Sequence, residues 1–199
     1  MKKAFTIIIV LLGATLWAKA QSQNFHAFKF DFGVGAFPFT NTLSQANFSL
    51  EPHYRIKDNL AYGLRYQYAD AGDGGESTKV VSGNLATYTY VSNITYQSIC
   101  ITGDHYLSTG AIQTFVGGGA GFYIQAEKGD QNTASIAPPY YYNYQTINNH
   151  TAKPGLFARV GLEVFHFRTS FEFDLTNGLY NYLSLNVGYF LGGGEKQTK

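Results

Sequence analysis

The stretch Phe28 to Ala36 reads Phe-Lys-Phe-Asp-Phe-Gly-Val-Gly-Ala, apolar at every even position and charged or glycine at every odd one. Successive side chains of a strand point to opposite faces, so this pattern predicts a strand with one greasy and one polar face. The alternation recurs to the end of the chain. It predicts strands over 48–56 and 60–69, a fourth that ends at Tyr106, and others over 114–127, 156–164, 170–176 and 183–191. Pro52 lacks the N–H that a ladder needs, and a bulge is expected there.

The connections alternate in length. Lys57-Asp58-Asn59, Ser108-Thr109-Gly110 and His166-Phe167 are compact turns. The opposite connections are looser: one around 38–44, a Gly-rich segment from Asp70, a long irregular stretch over 128–153, and Asn177-Gly178. Residues 78–90 regain strand character around Ser82-Gly83-Asn84, the tip of a hairpin standing clear of the barrel. Eight strands with short turns at one end and long loops at the other predict an all-β, eight-stranded antiparallel up-and-down transmembrane β-barrel. Its apolar face then looks at lipid and its polar face at the lumen.

Composition adds the compartment. The chain opens Met-Lys-Lys, runs apolar from Thr6 to Leu12 and reaches Ala18-Lys19-Ala20, the signature of a secretory signal peptide over 1–20. Cleavage there removes Lys2, Lys3 and Lys19 but no acid, turning the formal charge from +1 to −2, which argues against a nucleic-acid partner. The barrel is expected over 21–192 and a polar tail over 193–199. Cys100 is the sole cysteine, so there is no disulfide framework. The Asp70 to Glu76 segment does not have the spacing of a calcium loop. No cofactor or metal motif is evident.

Phe28 to Ala36, Tyr62-Gly63-Leu64-Arg65-Tyr66, the 115–121 stretch Phe-Val-Gly-Gly-Gly-Ala-Gly and the 183–191 strand resemble the small eight-stranded outer-membrane barrels of OmpA/OmpX type. The resemblance spans essentially the whole chain after residue 20. It implies a bacterial outer-membrane location and a monomer in contact with outer-membrane lipid. A peptidoglycan-binding domain, which OmpA-like proteins often add, is not implied, because nothing after Leu191 is long enough to form one.

The inward faces carry Lys29, Arg55, Arg65 and Arg159 with Asp31, Glu51, Asp104, Glu163, Glu172 and Asp174. An eight-stranded lumen is just wide enough for side chains to fill, and buried charges persist when paired, so these ten are expected to plug the barrel as a charge network. Gly117, Gly119 and Gly121 are expected to make room for long arginines from facing strands. Outward Tyr62, Tyr66, Tyr68 and Tyr189 are expected to form an interfacial girdle. Tyr140, Tyr141, Tyr142 and Tyr144 crowd one loop, a candidate contact surface for an extracellular protein or glycan.

The expected role is structural and surface-presenting, without enzymatic activity. Three alternatives stay open: a lipid A-modifying enzyme, a narrow ion-conducting barrel, and a soluble secreted barrel carrying an apolar ligand. An enzyme needs a histidine near the outer leaflet. His26, His53, His105 and His166 are expected at the periplasmic rim, and only His150 on the outer side. The soluble carrier predicts Phe28, Phe30 and Phe32 inside and Lys29 and Asp31 in water.

Overall fold

The computed structural model describes residues 25–36, 46–73, 86–108, 110–135, 142–177 and 181–193, with the backbone alone over 71–73, 86–92, 131–135 and 142–143. Eight strands run in chain order: β1 (Phe28–Ala36), β2 (Ala46–Lys57), β3 (Leu60–Asp73), β4 (Ala86–Tyr106), β5 (Ile112–Ser135), β6 (Tyr142–Val164), β7 (Phe167–Thr176) and β8 (Tyr182–Gly192). Each pairs antiparallel with the next, and β8 pairs with β1, so the sheet closes into an up-and-down barrel. The signal-peptide segment 1–20 and most of the tail lie outside the described residues. Gly193 is described, and its N–H bonds to the Phe28 carbonyl at 2.9 Å, tying the end of the last strand to the first.

The wall is inside-out relative to a soluble protein. Phe32 is 41 % exposed while its neighbour Asp31 is 6 % exposed. The same division holds around the ring: Val34, Phe48, Leu64, Ile101, Phe122, Val160, Phe173 and Leu185 look outward, while the charged residues are buried. Only a hydrocarbon surrounding makes that arrangement favourable, and a closed ring leaves no backbone edge exposed to it. The chain is a transmembrane β-barrel. The soluble carrier is overturned, because Phe28 and Phe32 face out and Lys29 and Asp31 face in. Cross-strand pairs Tyr54–Tyr62, Leu50–Tyr66 and Phe48–Tyr68 knit the outer face of β2 and β3.

Three local expectations are corrected. Pro52 makes no bulge: the β2–β3 register is the same on both sides of it, and the bulge falls between Arg55 and Lys57. Pro52 instead leaves a gap in the β3 ladder, since the register omits Glu51 and Pro52. The compact turn between β6 and β7 is Phe165-His166, one residue earlier than expected, which releases Phe167 and Arg168 into β7. Phe165 there has φ 56°, a left-handed conformation that a bulky residue adopts only under strain.

The third correction is larger. The stretch 128–153 is not irregular: β5 runs on to Ser135 and β6 starts at Tyr142, and the two stay paired from Ile112–Val164 to Ala134–Tyr142. On the other side of β5, residues 86–90 belong to β4 and pair with 131–135, while the expected hairpin tip at Ser82-Gly83-Asn84 lies outside the described residues. Pairing of β6 with β7 ends at Gly155–Thr176. Beyond the last β3–β4 pair, Asp73–Asn93, the described residues of β4, β5 and β6 continue as a three-stranded sheet. From residue 154 to residue 142, β6 travels about 40 Å at the usual strand rise. Pro154 sits where β7 departs. Its carbonyl accepts from Asn177 N–H at 3.4 Å, so its missing N–H is on the β7 side, where it ends the ladder.

Candidate functional site: the charged lumen and the projecting sheet

Strand alternation sends Lys29 and Asp31 of β1, Glu51, His53 and Arg55 of β2, Arg65 of β3, Asp104 of β4, Arg159 and Glu163 of β6, and Arg168, Glu172 and Asp174 of β7 into the lumen. All twelve are buried. Ten of these positions follow from the alternation read in the sequence. Arg168 is not among them, because a turn placed one residue late hides it. His53 lies on the inward face but deep in the lumen, not at the rim.

Arg159 is the hub. It forks onto both oxygens of Glu51, at 2.7 and 2.8 Å, and onto both oxygens of Asp104, at 2.9 Å each. Arg168 donates to Asp104 at 2.7 Å and to Glu163 at 2.6 Å. Lys29 reaches Glu163 at 2.5 Å and Asp31 at 3.3 Å. Thr102 donates to Glu51 at 2.5 Å, and the Tyr106 hydroxyl donates to Glu163 at 3.0 Å. A second cluster joins Arg65 to Glu172 and Asp174, with the Tyr123 hydroxyl on Asp174 at 2.6 Å. Each carboxylate thus meets a cation or strong donor, the condition under which ions survive in a dry interior.

Aromatic faces carry the arginines that the carboxylates do not saturate. Arg55 lies between the rings of Phe25 and Tyr106, 4.3 and 3.9 Å from their centroids, and donates to Gln113. Arg65 stacks on Phe157 at 3.7 Å and Arg168 on Phe115 at 3.9 Å. The glycine stripe of β5 serves these neighbours and not facing arginines. A Cβ at Gly119 would lie 2.5 Å from the Phe157 ring, and one at Gly117 would strike the Asp104 carboxylate.

His53 Nε2 lies 2.8 Å from Asp31 and 3.4 Å from Glu51. Asp31, Glu51 and His53 place ligand atoms within 4.8 Å of one another. The same carboxylates are already paired with Lys29, Arg159 and Arg168, so the trio reads as ion pairing and not as a metal centre. The cavity beside the network, lined by Ser49, Gln67, Ser170 and Asn186 among others, holds about 30 Å³. That is room for about two waters. The other histidines are scattered: His26, His105 and His150 are exposed, and His166 contacts the Phe190 carbonyl at 3.0 Å in a turn.

The tyrosine cluster divides. Tyr140 and Tyr141 lie outside the described residues. Tyr142 opens β6 opposite Ala134, and Tyr144 lies opposite Asn132 with an exposed side chain. They belong to the far end of the projecting sheet and not to a loop. Among the described residues, β6 over 146–152 has β5 as its only strand neighbour. Backbone groups alternate between the two sides of a strand, and Pro154 shows that even positions of β6 face away from β5. The N–H and C=O groups of Thr146, Asn148, His150 and Ala152 therefore line an open edge.

No protein-family model matches the chain, and no curated protein matches it by sequence. Solved structures with a similar shape are small outer-membrane barrels. The N-terminal β-barrel domain of Pseudomonas aeruginosa OprF is 12% identical with a TM-score of 0.45, covering 85% of this chain and 100% of its own. Ail of Yersinia pestis, solved with the heparin analogue sucrose octasulfate, is 13% identical with a TM-score of 0.42, covering 84% of this chain and 97% of its own. Neisserial surface protein A is 9% identical with a TM-score of 0.37, covering 82% of this chain and 91% of its own.

Proposed function

We propose that this chain is a bacterial outer-membrane protein, exported behind a signal peptide over 1–20, whose barrel has no enzymatic activity and serves as a rigid pedestal. The pedestal holds the β4–β5–β6 sheet beyond the membrane. The observation that carries this reading is the edge of β6 over 146–152, which among the described residues pairs with β5 alone, set on a barrel whose lumen is filled with ion pairs. An open edge captures an extended segment of another protein by adding it as a further strand, with main-chain hydrogen bonds supplying affinity. Tyr144, exposed near the tip, adds broad contact area at low entropy cost.

Substituting proline at Asn148 and His150 tests this. Both positions face away from β5, so proline there removes edge donors while leaving the β5 ladder intact, as Pro154 does naturally. Cells displaying the wild-type protein are expected to adhere to protein-coated surfaces more than cells lacking it, and N148P/H150P cells are expected to lose that gain. Adhesion to glycan-coated surfaces should be unaffected by the edge prolines. Equal adhesion by wild-type and double-proline cells on every coated protein contradicts strand capture. Lipid A mass spectra should be identical with and without the gene, and a new acylation state would contradict the non-enzymatic reading.

A further inference from the structure

The cavity inside the lumen lies between the two ion-pair clusters. Asp31, Glu51, Arg159 and Arg168 of the first line it, and so do Arg65 and Glu172 of the second. Arg159 bonds within the first cluster and Arg65 within the second. Three carboxylates thus face three guanidinium groups, all six buried, and the charged lining sums to zero. Ser49, Gln67, Ser170 and Asn186 add neutral polar groups. Gly33 of β1 lines the cavity too, and a Cβ there would lie 2.4 Å from the Ser49 Oγ, so the glycine keeps that side open. Four polar atoms of these residues, none of them the closest atom of an ion pair, have no hydrogen-bond partner among the described residues. Asp31 Oδ1, Gln67 Oε1 and Asn186 Oδ1 are acceptors, and Arg65 Nε–H is a donor. Asp31, Arg65 and Gln67 are each more than nine-tenths buried. Buried polar groups are nearly always satisfied, so these four atoms describe what the cavity takes.

We propose that this cavity binds two ordered waters, which join the two ion-pair clusters into one hydrogen-bonded lumen. Size sets the number, since about 30 Å³ gives room for about two waters and for no larger solute. Charge excludes an ion, because a cation or an anion would leave a buried, neutral lining with an uncompensated charge. The mixture of unpartnered atoms points the same way. The Arg65 Nε–H cannot coordinate a cation, and three acceptor oxygens repel an anion. Two waters match the set. Of their four O–H donors, three meet Asp31 Oδ1, Gln67 Oε1 and Asn186 Oδ1, and the fourth meets the other water. One water accepts from Arg65 Nε–H, and all four protein atoms are satisfied. The Asn186 Nδ2 donates to Ser184 Oγ at 3.0 Å, which leaves its Oδ1 for water. Asp31 belongs to one cluster and Arg65 to the other, so the waters are the joint between them.

Water–protein cross-relaxation, measured by NMR on the isotope-labelled folded protein in lipid nanodiscs, tests the proposal. The Arg65 Nε–H proton and the Gln67 amide protons are expected to show cross-peaks to water. Their sign should reverse between laboratory-frame and rotating-frame spectra, the mark of bound water as opposed to chemical exchange. Ser170→Val fills the cavity with methyl groups and should abolish the cross-peaks at both residues. Ser98→Ala removes a buried hydroxyl opposite Gln67 that does not line the cavity, and it should leave them unchanged. Replacing sodium and potassium salts with choline chloride should leave the Gln67 and Asn186 side-chain shifts in place. The heat-modifiable gel shift verifies that each variant is folded. Should S170V fail to fold, Gly33→Ala, whose methyl meets the Ser49 hydroxyl, replaces it. Wild-type spectra without the cross-peaks, or cross-peaks at full strength in the filled variant, overturn the water pair. Side-chain shifts that follow the choice of salt put a metal cation in the cavity and overturn it as well.

Discussion

Arg159→Met isolates the largest electrostatic contribution in the lumen. The substitution keeps an unbranched side chain but removes four hydrogen bonds of 2.7 to 2.9 Å to Glu51 and Asp104, both of which are buried. Removing one partner of a buried ion pair costs about 3–5 kcal/mol, because the remaining charge is left in a dry site. Thr102 and His53 still contact Glu51, and Arg168 still contacts Asp104, so the lower half of that range applies, about 3–4 kcal/mol. With a urea dependence of about 2 kcal/mol per molar, the unfolding midpoint should fall by roughly 1.5–2 M. The assay is equilibrium unfolding in lipid vesicles, read from folded and unfolded bands on unheated gels. A companion Glu51→Gln and the R159M/E51Q double variant complete a cycle in which the two losses should overlap by more than 1 kcal/mol, as expected for groups in direct contact (about 0.5–3 kcal/mol). A midpoint within about 0.3 M of wild type, or strictly additive losses, would refute the idea that paired ions hold the lumen together.

Other outcomes follow from local geometry. Gly119→Val should destabilise by about 1–3 kcal/mol, since its side chain would be driven into the Phe157 ring and the Ile101 carbonyl, whereas Gly110→Ala, with open space around it, should be neutral in the same unfolding assay. Phe165→Gly should raise the midpoint by an amount equivalent to about 1 kcal/mol, by relieving the left-handed turn; a loss instead would mean that the Phe165 ring has a stabilising contact at the interface. Arg55→Ala should weaken the short-turn end of the barrel through lost stacking on Phe25 and Tyr106, and Arg55→Lys should not restore it, because an ammonium lacks the planar face.

What was legible in the chain follows where its two surroundings differ. Within the membrane span, hydrocarbon on one side and a polar lumen on the other force every strand to alternate, so Phe28 to Ala36 matches β1 residue for residue. Parity alone then sorted Lys29, Arg65 or Glu172 to the inside. Beyond the membrane both faces meet water, and the alternation disappears: Lys128, Asp130, Thr146, Asn148 and His150 carry no period-two signal, so the extensions of β5 and β6 read as loop. Arg168 was lost to a one-residue error in a turn where Phe165 stands in a conformation more typical of glycine. Phe25 precedes the first alternating run, and its stacking on Arg55 gives it a place in the barrel.

Accessibility of single spin labels measures the inside-out arrangement directly. In a Cys100→Ser background, cysteines at Phe32, Val116 and Phe171 carry the label on one side of the wall, and cysteines at Ser98, Ser170 and Ser184 carry it on the other. Labels at the first three positions should collide strongly with oxygen dissolved in the bilayer and weakly with an aqueous nickel chelate. Labels at the second three should be shielded from both. Oxygen contact at positions 98, 170 and 184, with shielding at 32, 116 and 171, would mean that the apolar side chains line the lumen, and the account would be wrong at its foundation.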